Sequence, residues 1–332
     1  MTAQSKDKTK VCLVAGGAGF IGSHLCKSLL KDGYRVICVD NFLTGSKENV
    51  EALLENDRFT LINADITKKL PEMIADERVD YIFHLASPAS PNESSPRSYM
   101  NLPLETMDAN SIGTRRLLRL AKKKHAKMVY ASTSEVYGDP KVHPQTEDYW
   151  GHVNPNGVRS CYDESKRFGE ALCLVYVRKF EVDVRIARIF NTYGPKMDIQ
   201  DGRAIVNFIV QGLKNEPITI YGKGKQTRSF CYVTDLVNGL KKLMMRNIEA
   251  GEVVNLGNPD EYTVLQLAEK IKKALKSKSK ITYSKLPEDD PVRRKPDISK
   301  ARKLLGWKPK VIFSKGLEKT IDYFKKKVNE AE

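Results

Sequence analysis

No apolar run in this 332-residue sequence approaches the ~20 residues that a membrane-spanning helix requires, and Met1–Lys10 is polar and charged where a signal peptide would be apolar. There is no Cys-x-x-Cys pair. The six cysteines, Cys12, Cys26, Cys38, Cys161, Cys173 and Cys231, are scattered, several of them within apparent strands or helices. That pattern predicts reduced thiols used as small hydrophobes in a cytoplasmic protein. The five histidines show no metal-ligand spacing, so no metal is expected. Internal repeats and long low-complexity segments are also missing. What remains is a chain of ordinary hydrophobic content, 41%, long enough for one large or two modest domains.

The one excess is positive charge, +15 overall. The lysines fall in runs on apparent surface helices (Lys122–Lys124, Lys272/Lys273, Lys325–Lys327), with no aromatic residues interleaved to stack on bases. They predict a solvated surface and no nucleic-acid partner. A basic field of this kind also helps to recruit a multiply anionic small substrate.

The stretch from Thr133 to Lys166 carries the most chemistry. A tyrosine and a lysine four apart on a helix share one face, where the ammonium can lower the phenol's pKa from about 10 towards neutrality. A hydroxyl at the end of the preceding strand could then hold the same substrate oxygen, which suits proton removal from an alcohol as its hydride leaves. Spacing alone decides little, because Tyr-x-x-x-Lys occurs four times, at Tyr137/Lys141, Tyr162/Lys166, Tyr221/Lys225 and Tyr323/Lys327. The first pair encloses Pro140 and the third Gly222 and Gly224, so neither is expected to be helical. The fourth lies in a basic C-terminal helix without a strand-borne hydroxyl beside it. Only Tyr162/Lys166 combines a helical context with the upstream cluster Thr133-Ser134-Glu135.

Upstream, Lys10–Ala15 is a short apolar run followed by Gly16-Gly17-Ala18-Gly19-Phe20-Ile21-Gly22 and a helical stretch over Ser23–Lys31. Strand, glycine loop and helix in this order suit a dinucleotide, with Gly16 for the turn, Gly19 for backbone approach to the pyrophosphate and Gly22 for close packing. The helix N-terminus then faces the phosphates. Arg35–Val39 reads as a second strand ending at Asp40, where an acid can accept the adenosine ribose hydroxyls. An acid with no arginine beside it favours NAD over NADP. Further strands are expected at Thr60–Asn63, Tyr81–Leu85, Lys127–Ala131 and Asp183–Ile189, with helices over Leu102–Lys124 and Cys161–Lys179. Asp65-Ile66 and Leu85-Ala86-Ser87 would leave the third and fourth strands beside the cofactor. Strands and helices alternating at this length predict an α/β fold with a doubly wound parallel sheet, whose ligands bind at the strands' C-terminal ends.

From Phe190 the character changes. Asn191–Pro195 reads as a turn, Gly202–Leu213 as a helix, and Ile218–Tyr221 and Arg228–Val233 as short strands. These predict a smaller, substrate-binding domain capping the strand ends. The expected division is a polar leader over 1–8, a cofactor-binding domain over 9–190 and a mainly substrate-binding part over 191–332, with about 232–258 returning to the first domain. Arg203, Arg228, Arg293 and Arg294 lie in the second part, and planar guanidinium forks suit a diphosphate.

Three stretches, His84–Pro91 (HLASPASP), Thr133–Lys166 and Arg188–Arg203 (RIFNTYGPKMDIQDGR), make the chain resemble the extended short-chain dehydrogenase/reductase family. Within it the similarity is greatest to the UDP-glucuronate decarboxylases, and it covers about residues 10–328. The resemblance implies a Rossmann fold and NAD held by Gly16, Gly19, Phe20, Ile21, Gly22, Asp40, Asn41, Asp65, Ile66, Leu85, Ala86, Ser87, Tyr162 and Lys166. It implies Tyr162 as base, Lys166 as its modulator, Thr133 on the sugar 4-hydroxyl, and Glu135 acting around decarboxylation and reprotonation. Arg159 would meet the sugar carboxylate, while Asn191, Arg203, Tyr221, Arg228 and Arg294 would surround the uridine diphosphate and the sugar.

The implied reaction is oxidation at C4 of UDP-glucuronate, loss of carbon dioxide from the resulting beta-keto acid, protonation at C5, and return of the hydride to give UDP-xylose. In the related nucleotide-sugar 4,6-dehydratases an aspartate stands where this chain has Ser134, and 4-epimerases generally lack a glutamate like Glu135. Decarboxylation is therefore ranked above dehydration or epimerisation, and a non-catalytic nucleotide- or RNA-binding role is ranked third. The resemblance also implies a homodimer through the helices around Leu102–Lys124 and Cys161–Lys179. Animal relatives often carry a membrane-anchoring N-terminal stretch; none is visible here, so a cytoplasmic form free of the membrane is expected. One departure is the longer loop Asn92–Tyr99 near the cleft mouth.

Overall fold

The computed structural model describes residues 9–331, so the polar leader at 1–8 lies outside the described residues. The first half alternates strands and helices: β1 (Val11–Ala15), α1 (Phe20–Lys31), β2 (Arg35–Asp40), β3 (Phe59–Asn63), α2 (Glu72–Asp76), β4 (Tyr81–His84), α3 (Pro103–Asp108), α4 (Thr114–Lys124), β5 (Lys127–Thr133), α5 (Ser160–Phe180) and β6 (Val184–Ile189). The remainder comprises β7 (Thr192–Tyr193), α6 (Ala204–Leu213), β8 (Ile218–Tyr221), β9 (Thr227–Ser229), β10 (Cys231–Tyr232), α7 (Val233–Met245), β11 (Val253–Leu256), β12 (Glu261–Thr263), α8 (Val264–Leu275), β13 (Ile281–Ser284), β14 (Arg293–Arg294), α9 (Ser299–Leu305) and α10 (Phe313–Ala331).

Seven strands form one parallel sheet in the order β11-β6-β5-β4-β1-β2-β3. Side chains of a strand alternate between faces, and both faces here are covered. Cys12, Val14, Val36 and Cys38 enter one core with α1 and α7, while Val11, Leu13, Ala15, Ile37 and Val39 enter the other with α4 and α5. This is why β1 reads as an unbroken apolar run. The order reverses between β1 and β4, which opens a crevice at the strands' C-terminal ends. Small sheets, β10-β7, β12-β9-β14 and β13-β8, lie beyond β6, while β11 returns to pair with β6.

Three expected elements differ. The helix over Leu102–Lys124 is interrupted by a five-residue π segment, Ala109–Gly113. There Gly113 packs so closely that a Cβ would sit 2.6 Å from Ile66, and Asn110 donates to the Ser165 hydroxyl at 3.0 Å. The single strand expected over Arg228–Val233 is two: the chain leaves β12 and β14 at Ser229 and joins β7 at Cys231, and Val233 already begins α7. Asn191–Pro195 contains strand β7 rather than only a turn.

Candidate active site

A cleft of about 860 Å³ runs along the crevice, within the range of small-molecule and cofactor sites. At one end lies the loop between β1 and α1. Gly16 adopts φ +77°, and its N–H donates to Val39 at 2.8 Å. A Cβ on Gly22 would come within 2.1 Å of the Gly16 carbonyl oxygen, so strand and helix meet here at glycine distance. The Asp40 carboxyl closes the loop, accepting from the N–H of Ala18 and of Phe42, each at 2.9 Å. Burial pushes its pKa up against those backbone donors. Asp65 accepts from the Thr67 N–H at 2.8 Å and hydroxyl at 2.7 Å. Burial alone would raise its pKa, but these bonds and Asn41 hold it below the usual carboxylate range. The open glycine cradle and two acids at successive strand ends fit a dinucleotide. Phe20, Ile21, Asn41, Ile66, Leu85, Ala86 and Ser87 line the same walls.

At the other end β5 delivers Thr133, Ser134 and Glu135, and the first turn of α5 delivers Tyr162. Thr133 hydrogen bonds the Tyr162 phenol, and its oxygen also accepts from the Glu135 N–H at 3.2 Å. Lys166 donates to the Ala131 carbonyl at 2.8 Å, and its Nζ stands 5.8 Å from the Tyr162 ring centre. The expected lowering of the tyrosine by the lysine is not found. Burial raises Tyr162 to about 12 despite the Thr133 hydrogen bond. Burial also lowers Lys166 to about 7, with Glu170 opposing. Desolvation is the largest influence on each, because both groups are enclosed, and neither figures among the charges acting on the other. The other Tyr/Lys pairs differ: Tyr221/Lys225 is outside helix, as expected, while Tyr137 closes a short 3-10 turn over Ser134–Tyr137 and Lys141 lies beyond it, so that pair shares no helix face. Tyr323 and Lys327, on α10, reach the cleft wall where Lys327 ion-pairs with Glu48.

Beside Tyr162 is a cluster of charges. Glu135 Oε2 receives Arg159 Nη2 at 2.5 Å and Arg294 Nη2 at 3.3 Å, while the Ser134 hydroxyl donates to Oε1 at 3.1 Å. Burial would raise Glu135, but Arg294 and Arg159 outweigh it and hold its pKa at about 2. Arg294 is 1% exposed and also donates to the Ser134 carbonyl, so it stands behind the glutamate and does not line the cleft. Asp290, which sequence reasoning missed, bridges Arg159 at 3.5 Å and Arg228 at 3.0 Å.

Arg203, paired with Asp201 at 3.0 Å, and Asn191 also line the cleft. Tyr221 does not: it ends β8, 41% exposed, and Arg293 is exposed on β14. Tyr99 was also missed. It is buried against the cleft, its ring stacked on Tyr162, and its hydroxyl has no hydrogen-bond partner. The only sequence signal for it was its place at the end of the longer loop. That loop crosses the cleft mouth, where Ser90 donates to the Asp201 carbonyl and Arg97 pairs with Asp198.

Among known proteins, the family model described as GDP-mannose 4,6 dehydratase matches residues 13–320. The chain is 52% identical over 323 residues to UDP-glucuronic acid decarboxylase 1 of Danio rerio, covering 97% of this chain and 74% of that protein. It is 50% identical over 326 residues to UDP-glucuronic acid decarboxylase 4 of Arabidopsis thaliana, covering 97% and 70%. The solved UDP-glucuronic acid 4-epimerase from Bacillus cereus, in complex with UDP-glucuronic acid and NAD, superposes with a TM-score of 0.84 at 33% identity, over 95% of this chain and 99% of that one.

Proposed function

Since the chain belongs to the family of the GDP-mannose 4,6 dehydratase model, and within it to the UDP-glucuronic acid decarboxylases, we propose that it decarboxylates UDP-glucuronate to UDP-xylose with NAD. NAD, when bound, would supply a hydride acceptor for the sugar's C4 and, once reduced, the hydride source that makes the overall reaction redox-neutral. Gly16, Gly19, Gly22, Asp40 and Asp65 hold it by the loop, the helix N-terminus and the two strand-end acids.

Tyr162 removes the proton of the 4-hydroxyl while Thr133 holds that oxygen. The Lys166 ammonium, once charged, favours the phenolate. The product ketone lies beta to the C5 carboxylate, so the bond to carbon dioxide breaks with its electrons accepted as an enolate. Arg159 meets the carboxylate, with Arg203, Arg228 and Asn191 on the diphosphate side. Protonation of the enolate at C5 completes the part of the cycle that these residues serve. The observation that carries this reading is the Ser134–Glu135–Arg159–Arg294 cluster beside Tyr162, with a hydroxyl and not a second carboxyl at position 134. An extra acid there would disfavour the ionised substrate carboxylate.

Residues 9–190 act as the cofactor-binding part and 191–332 mainly as the substrate-binding part, with about 232–258 completing the first. The protein works as a cytoplasmic homodimer. The exposed Leu104, Ile112, Phe168, Val175 and Phe180 on the helices of 103–124 and on α5 support that pairing. No helix among the described residues is long and apolar enough to cross a membrane.

Incubation of the purified protein with UDP-glucuronate, following carbon dioxide and nucleotide sugars by mass, tests the reading. UDP-pentose without net NADH is expected. UDP-4-keto-pentose with accumulating NADH would mean that the ketone escapes before reduction. Turnover of a neutral UDP- or dTDP-hexose instead would overturn the proposal.

A further inference from the structure

Asp163 is a buried acid that this mechanism leaves unused. It follows Tyr162 on α5 and lies four residues after Arg159, on the helix face that Arg159 occupies. It is 7% exposed and its Oδ1 has no hydrogen-bond partner. The charged and titratable groups around it are Arg159, Cys161, Tyr162 and Glu164 from its own helix, Glu135 from the turn after β5, Arg294 from β14, and Tyr99 from the loop before α3. Both arginines give their ion pairs to Glu135, and Arg159 turns its other nitrogen to Asp290. An ionised carboxyl left buried beside Glu135 without a partner is costly, so the two acids divide the roles, one charged and one protonated.

The reaction proposed above, on which this inference rests, consumes one proton. When the C5–C6 bond breaks, its electron pair becomes the C4–C5 enolate, and C5 must then gain a proton. Glu135, held as a carboxylate by two guanidinium groups, carries none of its own to give. We propose that Asp163 holds the proton that reaches C5 through Glu135. The Asp163 O–H bond breaks as the Glu135 carboxylate takes that proton, the Glu135 O–H bond breaks in turn as the C5–H bond forms, and the aspartate takes a proton from solvent before the next turnover. No electron leaves the substrate in this step. Asp163 acts through Glu135 and is therefore a positioning residue for the proton. Burial first, and Glu135 second, raise its pKa to about 7 against Arg159 and Arg294, opposite to the shift of its neighbour.

The test is a single turnover of the NAD-loaded enzyme with UDP-glucuronate, measuring carbon dioxide by rapid quench and NADH by absorbance. In the wild type, NADH decay slows relative to carbon dioxide release as the pH rises through about 7. Asp163→Asn keeps the shape and removes the proton. It should release carbon dioxide at close to the wild-type rate while slowing NADH decay about 10- to 100-fold, with the pH dependence of the ratio gone. Asp163→Glu should restore most of the decay. A merely structural role would lower both rates together. A wild-type ratio that does not change with pH, or an Asp163→Asn enzyme whose NADH decays normally, overturns the inference while leaving decarboxylation intact. Absence of carbon dioxide from the wild type overturns the decarboxylase reading itself. Should Asp163→Asn fail to fold, Asp163→Glu decides: a ratio whose pH dependence is unmoved in that variant belongs to Lys166, which also titrates at about 7, and overturns the inference.

Discussion

Tyr99 lies face to face on Tyr162, ring centres 4.7 Å apart and planes 7° apart. The stack joins the end of the 92–99 loop to the proposed base, so the loop that ties to Asp198 through Arg97 also orients the reacting phenol. Stacked pairs of this kind contribute about 0.5–1.5 kcal/mol beyond the area they bury. Tyr99→Phe keeps the stack and should retain folding. Tyr99→Ala should cost about 3–5 kcal/mol of stability and lower kcat more than it raises KM, because Tyr162 loses its orientation. Thermal melts and steady-state kinetics on both variants check this. Equal kcat values in the two would remove the orienting role.

The enclosed lysine sets a pH signature. Burial lowers Lys166 from 10.5 to about 7, so between these values the unfolded chain holds more protons than the folded one and stability rises with pH. Lys166→Met should be more stable than the wild type at pH 7, by on the order of a few kcal/mol, with the difference shrinking towards pH 10.5. The same variant should lose activity, as a charge placed for chemistry at the expense of stability predicts. Tyr162→Phe should lower kcat about 10²- to 10⁴-fold with UDP binding intact. Melts across pH 6–10 and UDP titration read both effects, and a wild type more stable than Lys166→Met at pH 7 would contradict the first.

How much of this was legible beforehand depended on sequence distance. The glycine loop and the Tyr162/Lys166 helix are local, and each carries its own geometry in a few consecutive residues. Asp290 reaches Arg159 and Arg228 only through tertiary folding, and nothing in the run around it marks that contact. Tyr221 was expected around the uridine diphosphate from the family resemblance, yet at the end of β8 it lies outside the lining of the cleft. The lowered phenol pKa was misjudged for another reason. Spacing reports that two groups share a face, but not that both are desolvated, and here desolvation dominates. The π segment is set by Ile66 and Ser165, which lie in other elements and leave no periodic trace in the helix itself.

Two glycines of the loop should fail differently when given a methyl group. At Gly22 a Cβ meets the Gly16 carbonyl at 2.1 Å and the Gly17 Cα at 2.7 Å, both backbone atoms that cannot swing aside. Gly22→Ala should therefore lose stability together with NAD affinity. At Gly19 the nearest atom is the Gly16 carbonyl at 3.3 Å, and the new methyl group points at space intended for the pyrophosphate. Gly19→Ala should melt within about 0.5–1 kcal/mol of the wild type and still bind NAD at least tenfold more weakly. Calorimetric titration and thermal melts separate the two, and an unaltered NAD affinity in Gly19→Ala would move the pyrophosphate away from this loop.

The pairing of Arg294 with Glu135 can be read from stability alone. Arg294 is almost wholly enclosed, and its guanidinium serves both the Ser134 carbonyl and the Glu135 carboxylate. Removing one partner of such a pair leaves the other charge uncompensated and typically costs about 3–5 kcal/mol. Arg294→Met should show a loss of this size at pH 7. Because Arg294 is the largest of the charges holding Glu135 down at about 2, the glutamate's pKa should rise in the variant. In the wild type the stability from that depressed carboxyl is present above its unfolded value of 4.5 and is lost as the pH falls through about 2. In Arg294→Met the acid loss should begin at higher pH. Glu135→Gln in the Arg294→Met background should recover part of the stability at pH 7, since it removes the stranded charge. A double-mutant cycle by chemical denaturation measures this coupling. Strict additivity of the two substitutions would mean that Arg159 alone holds the glutamate.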